Sequence, residues 1–129
     1  MHSIAFTPLL VAAVVGVMLF FSVAVAPGIF KVLPAEWAAR YVRAFFPKYY
    51  AVLGATCALA AALDQGPVGA RLIWACAAVF GLSLWPLTPT INRLRDGGKM
   101  QAFHALHGLS VGLNLLQLVA LCYWLWLAR

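Results

Sequence analysis

The sequence predicts an all-α integral membrane protein, a four-helix transmembrane bundle with a short interfacial amphipathic helix between the first two spans. Of its 129 residues, 65% are hydrophobic and 9% are charged, whereas a soluble domain carries about 25% charged residues. The charges are also clustered, and three of the uncharged stretches between them are long enough for the roughly 20 residues that cross a bilayer. This pattern excludes a secreted domain, a nucleic-acid-binding module and a disordered chain. The uncharged stretches are residues 1–30, 49–63, 72–92 and 100–128.

The first span is predicted at residues 4–26. A cleaved signal peptide is the alternative, but the apolar run is longer than the usual 7–15 residues or so, and Pro27 follows the small residues where cleavage would occur. Residues 34–46 are predicted as the interfacial helix, because Glu36, Arg40 and Arg43 recur on one face. A plain extension of the second span is the other interpretation of this segment.

Turn signals place the remaining spans. The stretch before Asp64 becomes long enough to span when it is continued across Pro47. Pro86 and Pro89 are predicted to end the third span, because proline interrupts helical hydrogen bonding, and a basic loop follows them. The second, third and fourth spans are then predicted at residues 45–63, 70–86 and 103–127, all within one transmembrane domain of residues 1–129.

The basic residues predict the orientation in the membrane. Seven lie in the segments that follow spans one and three, and only two lie elsewhere. Because cytoplasmic loops carry an excess of Lys and Arg, both basic segments are predicted to be cytoplasmic in the inner membrane, with both termini outside. There they would meet anionic headgroups. The seven are Lys31, Arg40, Arg43, Lys48, Arg93, Arg95 and Lys99; the two are Arg71 and Arg129.

Small residues recur at four-residue spacing in three spans, as in Ala12 and Gly16, Gly54 and Ala58, and Gly108 and Gly112. This spacing lets helices approach closely in lipid. We expect these residues to pack inside the bundle, with a homo-oligomer face as the alternative.

The fourth span carries a polar stripe. His107, Ser110, Asn114 and Gln117 recur at helical spacing, with His104 one turn earlier. Polar groups at membrane depth mark functional sites, and the alternative is that they only join helices through hydrogen bonds. The polar segment that contains Asn92 and Arg93 is predicted to lie at the mouth of the same site.

The stripe also suggests a metal site, because Met100, His104 and His107 share one face and their thioether and imidazole groups suit copper. Haem fits less well, since its two axial histidines must approach the iron from opposite sides. No carboxylate lies inside a predicted span, which leaves acid–base chemistry to histidine alone. We therefore predict neither an enzyme nor a resident cofactor, with copper and haem as the alternatives.

Three blocks occur in order along the chain: Phe30 with Leu33-Pro34, then Phe46-Pro47-Lys48-Tyr49-Tyr50, and then Phe103-His104-Ala105-Leu106-His107-Gly108-Leu109-Ser110 followed by Asn114. Together they resemble the small membrane-protein family typified by eukaryotic transmembrane protein 205, whose bacterial members carry a domain of unknown function. The resemblance implies four membrane helices with a short helix between the first two. It favours His107, Gly108, Ser110 and Asn114 over His104, which lies outside the family motif, and it adds Tyr49 as a partner for the stripe.

These observations predict a small polytopic membrane protein and leave three functions open. The first is binding or transport of a small solute at an internal site that the stripe lines. The second is a non-catalytic scaffold or accessory subunit, in which the stripe only holds the bundle together. The third is a copper-type metal protein. The resemblance supplies no established reaction, and no nucleic-acid partner is expected.

Overall fold

The computed structural model describes residues 6–64 and 66–129. Residues 4 and 5 of the predicted first span therefore lie outside the described part. Four long helices make up the fold, and each is long and apolar enough to cross a bilayer. Each helix packs against the next one along the chain, and α1 also packs against α4. The predicted four-helix bundle is confirmed, with helices α1 (Phe6–Val32), α2 (Ala35–Leu63), α3 (Pro67–Asp96) and α4 (Met100–Leu127).

Two of these helices continue past the residue at which the predicted span ends, and each passes through a proline there. In α1 a wider π-helical turn at Phe21–Val25 precedes Pro27, and the amide of Ala26 donates to the carbonyl of Phe21. A similar turn at Ser83–Leu87 contains Pro86. Because local π-turns can satisfy the backbone groups that a proline frees, the helix need not stop. The predicted end of the third span at Pro86 is wrong, since α3 continues to Asp96.

The separate interfacial helix predicted for residues 34–46 is not confirmed. These residues form the first turns of α2, which runs without a break through Pro47. The aromatic rings on either side of Pro47 explain this continuity, because Phe45 and Tyr49 both pack against Phe21 of α1, with ring centroids 4.8 and 5.0 Å away. Packing against a neighbouring helix offsets the hydrogen bond that Pro47 cannot donate.

The core fills only one end of the bundle completely. At that end Leu121 and Trp124 of α4 pack among buried residues of the other helices, and Thr7 of α1 donates to the carbonyl of Ala60 of α2 at 3.3 Å. At the other end, residues 21–32 of α1 have no Cα within 8 Å of any Cα in α4. The bundle is therefore closed where α1 begins and open where α4 begins, which is also where most of the basic residues lie.

The glycines that were expected to pack inside the bundle divide into two groups. A Cβ at Gly54 would lie 3.2 Å from Cβ of Phe80, so this glycine allows α2 and α3 to approach closely. Nothing in the described part of the chain beyond the local helix backbone lies within 4 Å of the Cβ positions of Gly16, Gly108 and Gly112. The internal role predicted for these three residues is wrong, because the faces that carry them point away from the bundle.

Candidate ligand cleft

The open end of the bundle contains a cleft of about 590 Å³ that is lined by all four helices. This volume is within the range of about 300–1,000 Å³ that is typical of small-molecule sites. The cleft exists because α1 and α4 separate beyond the π-helical turn at Phe21–Val25, while α3 stays in contact with α4. Its wall on α4 is the first half of that helix, where the polar stripe lies.

The innermost part of the cleft is polar. The hydroxyls of Tyr50 and Ser110 lie 3.3 Å apart, which joins α2 to α4 by a hydrogen bond. Next to this pair, the hydroxyl of Tyr49 and Oδ1 of Asn114 are both buried, and the two side chains lie within reach of each other without making a well-aligned hydrogen bond. Buried polar atoms without a partner are uncommon in folded proteins, and each is costly unless something else satisfies it. Tyr49 and Asn114 both line the cleft, so a molecule bound there would contact both groups.

Aromatic rings form the walls around this polar part. Phe46 stacks on Tyr50 with ring centroids 5.6 Å apart, and its edge also meets Tyr49 at 5.9 Å. On the opposite side, Phe103 stacks on the imidazole of His107 at 5.6 Å with an angle of 13° between the planes. The cleft therefore combines flat apolar surfaces with a few polar atoms, as ligand sites do.

The mouth of the cleft is basic. Arg43 of α2 donates to both carboxylate oxygens of Asp96, at 2.8 and 3.1 Å, and this pair joins α2 to the end of α3. Arg95 lies over the ring of Phe103 at 5.8 Å and lines the cleft without an acidic partner among the described residues. Gly98, with φ of 70°, makes the tight turn after Asp96 that returns the chain into α4.

Most of the site residues predicted from the sequence lie on this cleft. The predicted residues that line it are Tyr49, Asn92, Met100, His104, His107, Ser110 and Asn114. Gln117 does not line the cleft, and its side-chain amide donates instead to the carbonyl of Cys76 at 3.0 Å. Arg93 is also elsewhere, where it donates to the hydroxyl of Thr90 on its own helix.

The three residues of the copper hypothesis, Met100, His104 and His107, lie on the same wall of the cleft. Within residues 6–64 and 66–129, no three His, Cys, Asp or Glu side chains come together in a group suited to a metal ion. A metal on this wall would depend on the soft thioether of Met100 as its third ligand, a donor that selects copper(I). The copper and haem alternatives stay predictions.

Several cleft residues were missed as site residues, among them Arg43, Arg95, Tyr50 and Phe103. Arg43 was placed on the solvent face of an interfacial helix that the structure merges into α2. Tyr50 follows Tyr49 directly, and helical spacing from Phe46 would have indicated that both tyrosines turn toward the same neighbours. Phe103 precedes His107 by one helical turn, so its spacing could have placed it beside the stripe, whereas the role of Arg95 depends on how the ends of α3 and α4 meet.

Fold and cleft together define the class, a small four-helix membrane protein with a polar and aromatic cleft at one end of the bundle. The chain belongs to the family described as domain of unknown function (DUF4149), which matches residues 9–99. The matched region covers most of α1 and all of α2 and α3 and ends before α4, so the polar stripe lies outside it. Comparisons with curated proteins and with solved structures gave no match.

Proposed function

We propose that this protein binds a small molecule in the cleft, as the binding step of transport or of a sensing or carrier role, without catalysing a reaction. The observation that carries the proposal is the pair of buried polar groups on Tyr49 and Asn114, which lie near each other without a well-aligned hydrogen bond and face a cleft of about 590 Å³. If the stripe only joined helices, its polar groups would be paired with one another, as Gln117 is with Cys76. The division between paired and unpaired members therefore favours a binding site over a purely structural stripe.

We also propose that the chain is related to the family of transmembrane protein 205, because of the sequence blocks around Pro47 and His107. We further propose that the protein lies in the inner membrane and that the mouth of the cleft faces the cytoplasm. The support is that the basic residues concentrate at the open end of the bundle, and basic ends of membrane helices face the cytoplasm.

The orientation can be tested with fusions after Arg129, the last residue of the chain. Alkaline phosphatase, which folds only outside the cytoplasm, should be active there, and green fluorescent protein should be dark. The reverse pattern would place the cleft mouth outside and would contradict the proposal that the basic end faces the cytoplasm.

Filling the cleft tests the binding proposal. Ala26 and Ala39 line the cleft from α1 and α2, so Ala26→Trp together with Ala39→Trp should occupy much of its volume. The protein is purified from native membranes in mild detergent, and bound small molecules are measured by native mass spectrometry. We expect the bound fraction to fall by about tenfold, which corresponds to ~1.4 kcal/mol of binding free energy.

The matched control places the same two substitutions on the lipid-facing sides of the same helices, as Ala24→Trp with Ala51→Trp, because both alanines are exposed and neither lines the cleft. The control should retain the bound molecule. Equal adducts in wild type, filled-cleft variant and control would show that the molecule binds elsewhere and would contradict the proposal.

A scaffold or accessory role within a homo-oligomer is the second candidate. The observation that favours it is the outward position of Gly108 and Gly112, whose Cβ positions have nothing within 4 Å beyond the local helix backbone in the described part of the chain. This spacing of glycines is the one that lets two membrane helices associate closely. The same substitutions that fill the cleft separate the two roles, since a scaffold would be insensitive to them.

A further inference from the structure

The cleft opens sideways at the depth of the membrane. Since residues 21–32 of α1 do not approach α4, the gap between the two helices is bounded by Phe30 on one side and by Val111 and Leu115 on the other. All three line the cleft and are 61%, 46% and 50% exposed. A water-filled pore would be lined by polar residues, whereas these rim residues are apolar.

The position of the rim along α4 places this opening among lipid chains. Val111 and Leu115 are close to the middle of the 28-residue helix, which at about 1.5 Å per residue is longer than the hydrocarbon core of a bilayer. The middle of such a helix lies near the centre of the bilayer. Phe30 lies nearer the basic end, beside Lys31, so a molecule that enters the gap beside Val111 and Leu115 comes from the lipid phase.

The innermost polar atoms define the head of that molecule. Oδ1 of Asn114 can only accept a hydrogen bond, and the hydroxyl of Tyr49, which is 4% exposed, can donate one. A hydroxyl group both donates and accepts, so one hydroxyl-bearing head can satisfy both atoms. An ionised carboxylate is costly to place at this depth of the bilayer, and an alkyl chain would leave both atoms unpaired at a cost.

We infer that the ligand is a lipid-phase amphiphile with an uncharged hydroxyl-bearing head, which contacts Tyr49 and Asn114 while its alkyl chain leaves the cleft between α1 and α4. This inference rests on the proposed binding function and names the class of its ligand. The ring of Phe46, which packs against both Tyr49 and Tyr50, holds the head laterally. Because the polar head and the exit of the chain lie at the same depth, the chain reaches the lipid without crossing the basic mouth.

A pair of photoactivatable lipids tests the inference. The protein is reconstituted in phosphatidylcholine vesicles with a monoacylglycerol that carries a diazirine and an alkyne in its acyl chain. The second probe is the fatty acid with the same chain, used at the same pH, at which its carboxyl group is ionised. After irradiation, cross-linked peptides are mapped by mass spectrometry. We expect the monoacylglycerol to label the rim segments 21–32 and 111–115, and excess unlabelled monoacylglycerol, but not glycerol, to suppress the labelling.

Variants test the head contacts. Asn114→Leu and Tyr49→Phe remove polar atoms that make no well-aligned hydrogen bond in the structure, so both variants should fold. Each should reduce rim labelling by the monoacylglycerol by about tenfold, the loss expected for one buried hydrogen bond. Gln117→Leu is the matched polar-to-apolar control on α4, and it should leave labelling unchanged because Gln117 does not line the cleft.

The outcomes separate this inference from the proposed function. Equal or stronger labelling by the fatty acid, or unchanged labelling of Asn114→Leu and Tyr49→Phe, overturns the uncharged hydroxyl head. A bound molecule that is lost when the cleft is filled, combined with no rim labelling by either probe, leaves the binding proposal standing and overturns the lipid-phase ligand. Absence of both the bound molecule and the labelling overturns the two together.

Discussion

Replacing Phe80 by Ala should lower the free energy of unfolding by about 3 kcal/mol, the lower end of the range for this change in a buried site. Phe80 is completely buried, lies against Gly54, and packs on the ring of Tyr50 with centroids 6.3 Å apart. Its removal leaves a cavity between α2 and α3. We place the effect at the lower end because lipid chains offer an apolar side chain nearly the same environment as the core.

The measurement is reversible unfolding of the protein in mixed micelles, compared with Leu82→Ala. Leu82 lies two residues further along the same helix and is 60% exposed, so its truncation removes little packing and should change stability by less than about 0.5 kcal/mol. Because Tyr50 donates to or accepts from Ser110 in the cleft, Phe80→Ala should also weaken ligand binding. Similar stabilities for the two variants would show that α2 and α3 do not pack through Phe80.

Gly54→Leu should destabilise the same interface in the opposite way, by overpacking, at a cost of about 2 kcal/mol. The Cβ of any residue at this position would lie only 3.2 Å from Cβ of Phe80, and the further atoms of leucine have no space between the two helices. The helices would have to separate, since Cβ of Phe80 cannot move without its backbone.

Gly112→Leu is the matched control for this prediction, as it makes the identical change in a second four-residue spacing of small residues. Its Cβ position is open, so the stability of the single chain should not fall. Unfolding in mixed micelles at low protein concentration measures both variants without a contribution from oligomers. Equal destabilisation by the two changes would contradict the outward orientation of Gly112 and restore the internal role expected from the sequence.

The number and approximate positions of the membrane helices could be predicted from the sequence because the cost of burying charge in lipid restricts where charged residues occur. The uncharged stretches therefore located all four spans. The continuation of α1 past Pro27 and of α3 past Pro86 could not be predicted in the same way. Whether a proline ends a helix depends on whether a wider turn and neighbouring side chains satisfy the free backbone groups, and that is a property of the packed bundle.

The polar stripe on α4 was also predictable, since helical spacing alone places Ser110, Asn114 and Gln117 on one face. The sequence could not separate its members. Gln117 joins α4 to the carbonyl of Cys76, whereas Asn114 keeps an unpartnered oxygen, and the difference is only which neighbour each side chain meets. The prediction from glycine spacing was wrong in part for the same reason. Gly54 and Gly112 occur in similar spacings, but only Gly54 faces a neighbouring helix.

By itself, the sequence determined that this protein has four membrane helices, a basic end and one helix with polar residues at membrane depth. These are consequences of local composition and periodicity, which each helix carries without reference to the others. The tertiary structure decided that α1 separates from α4 at the basic end, and hence that the stripe faces a cleft rather than a filled core. That outcome depends on distances between residues far apart in the chain, such as Phe30 and Val111, which no local pattern encodes.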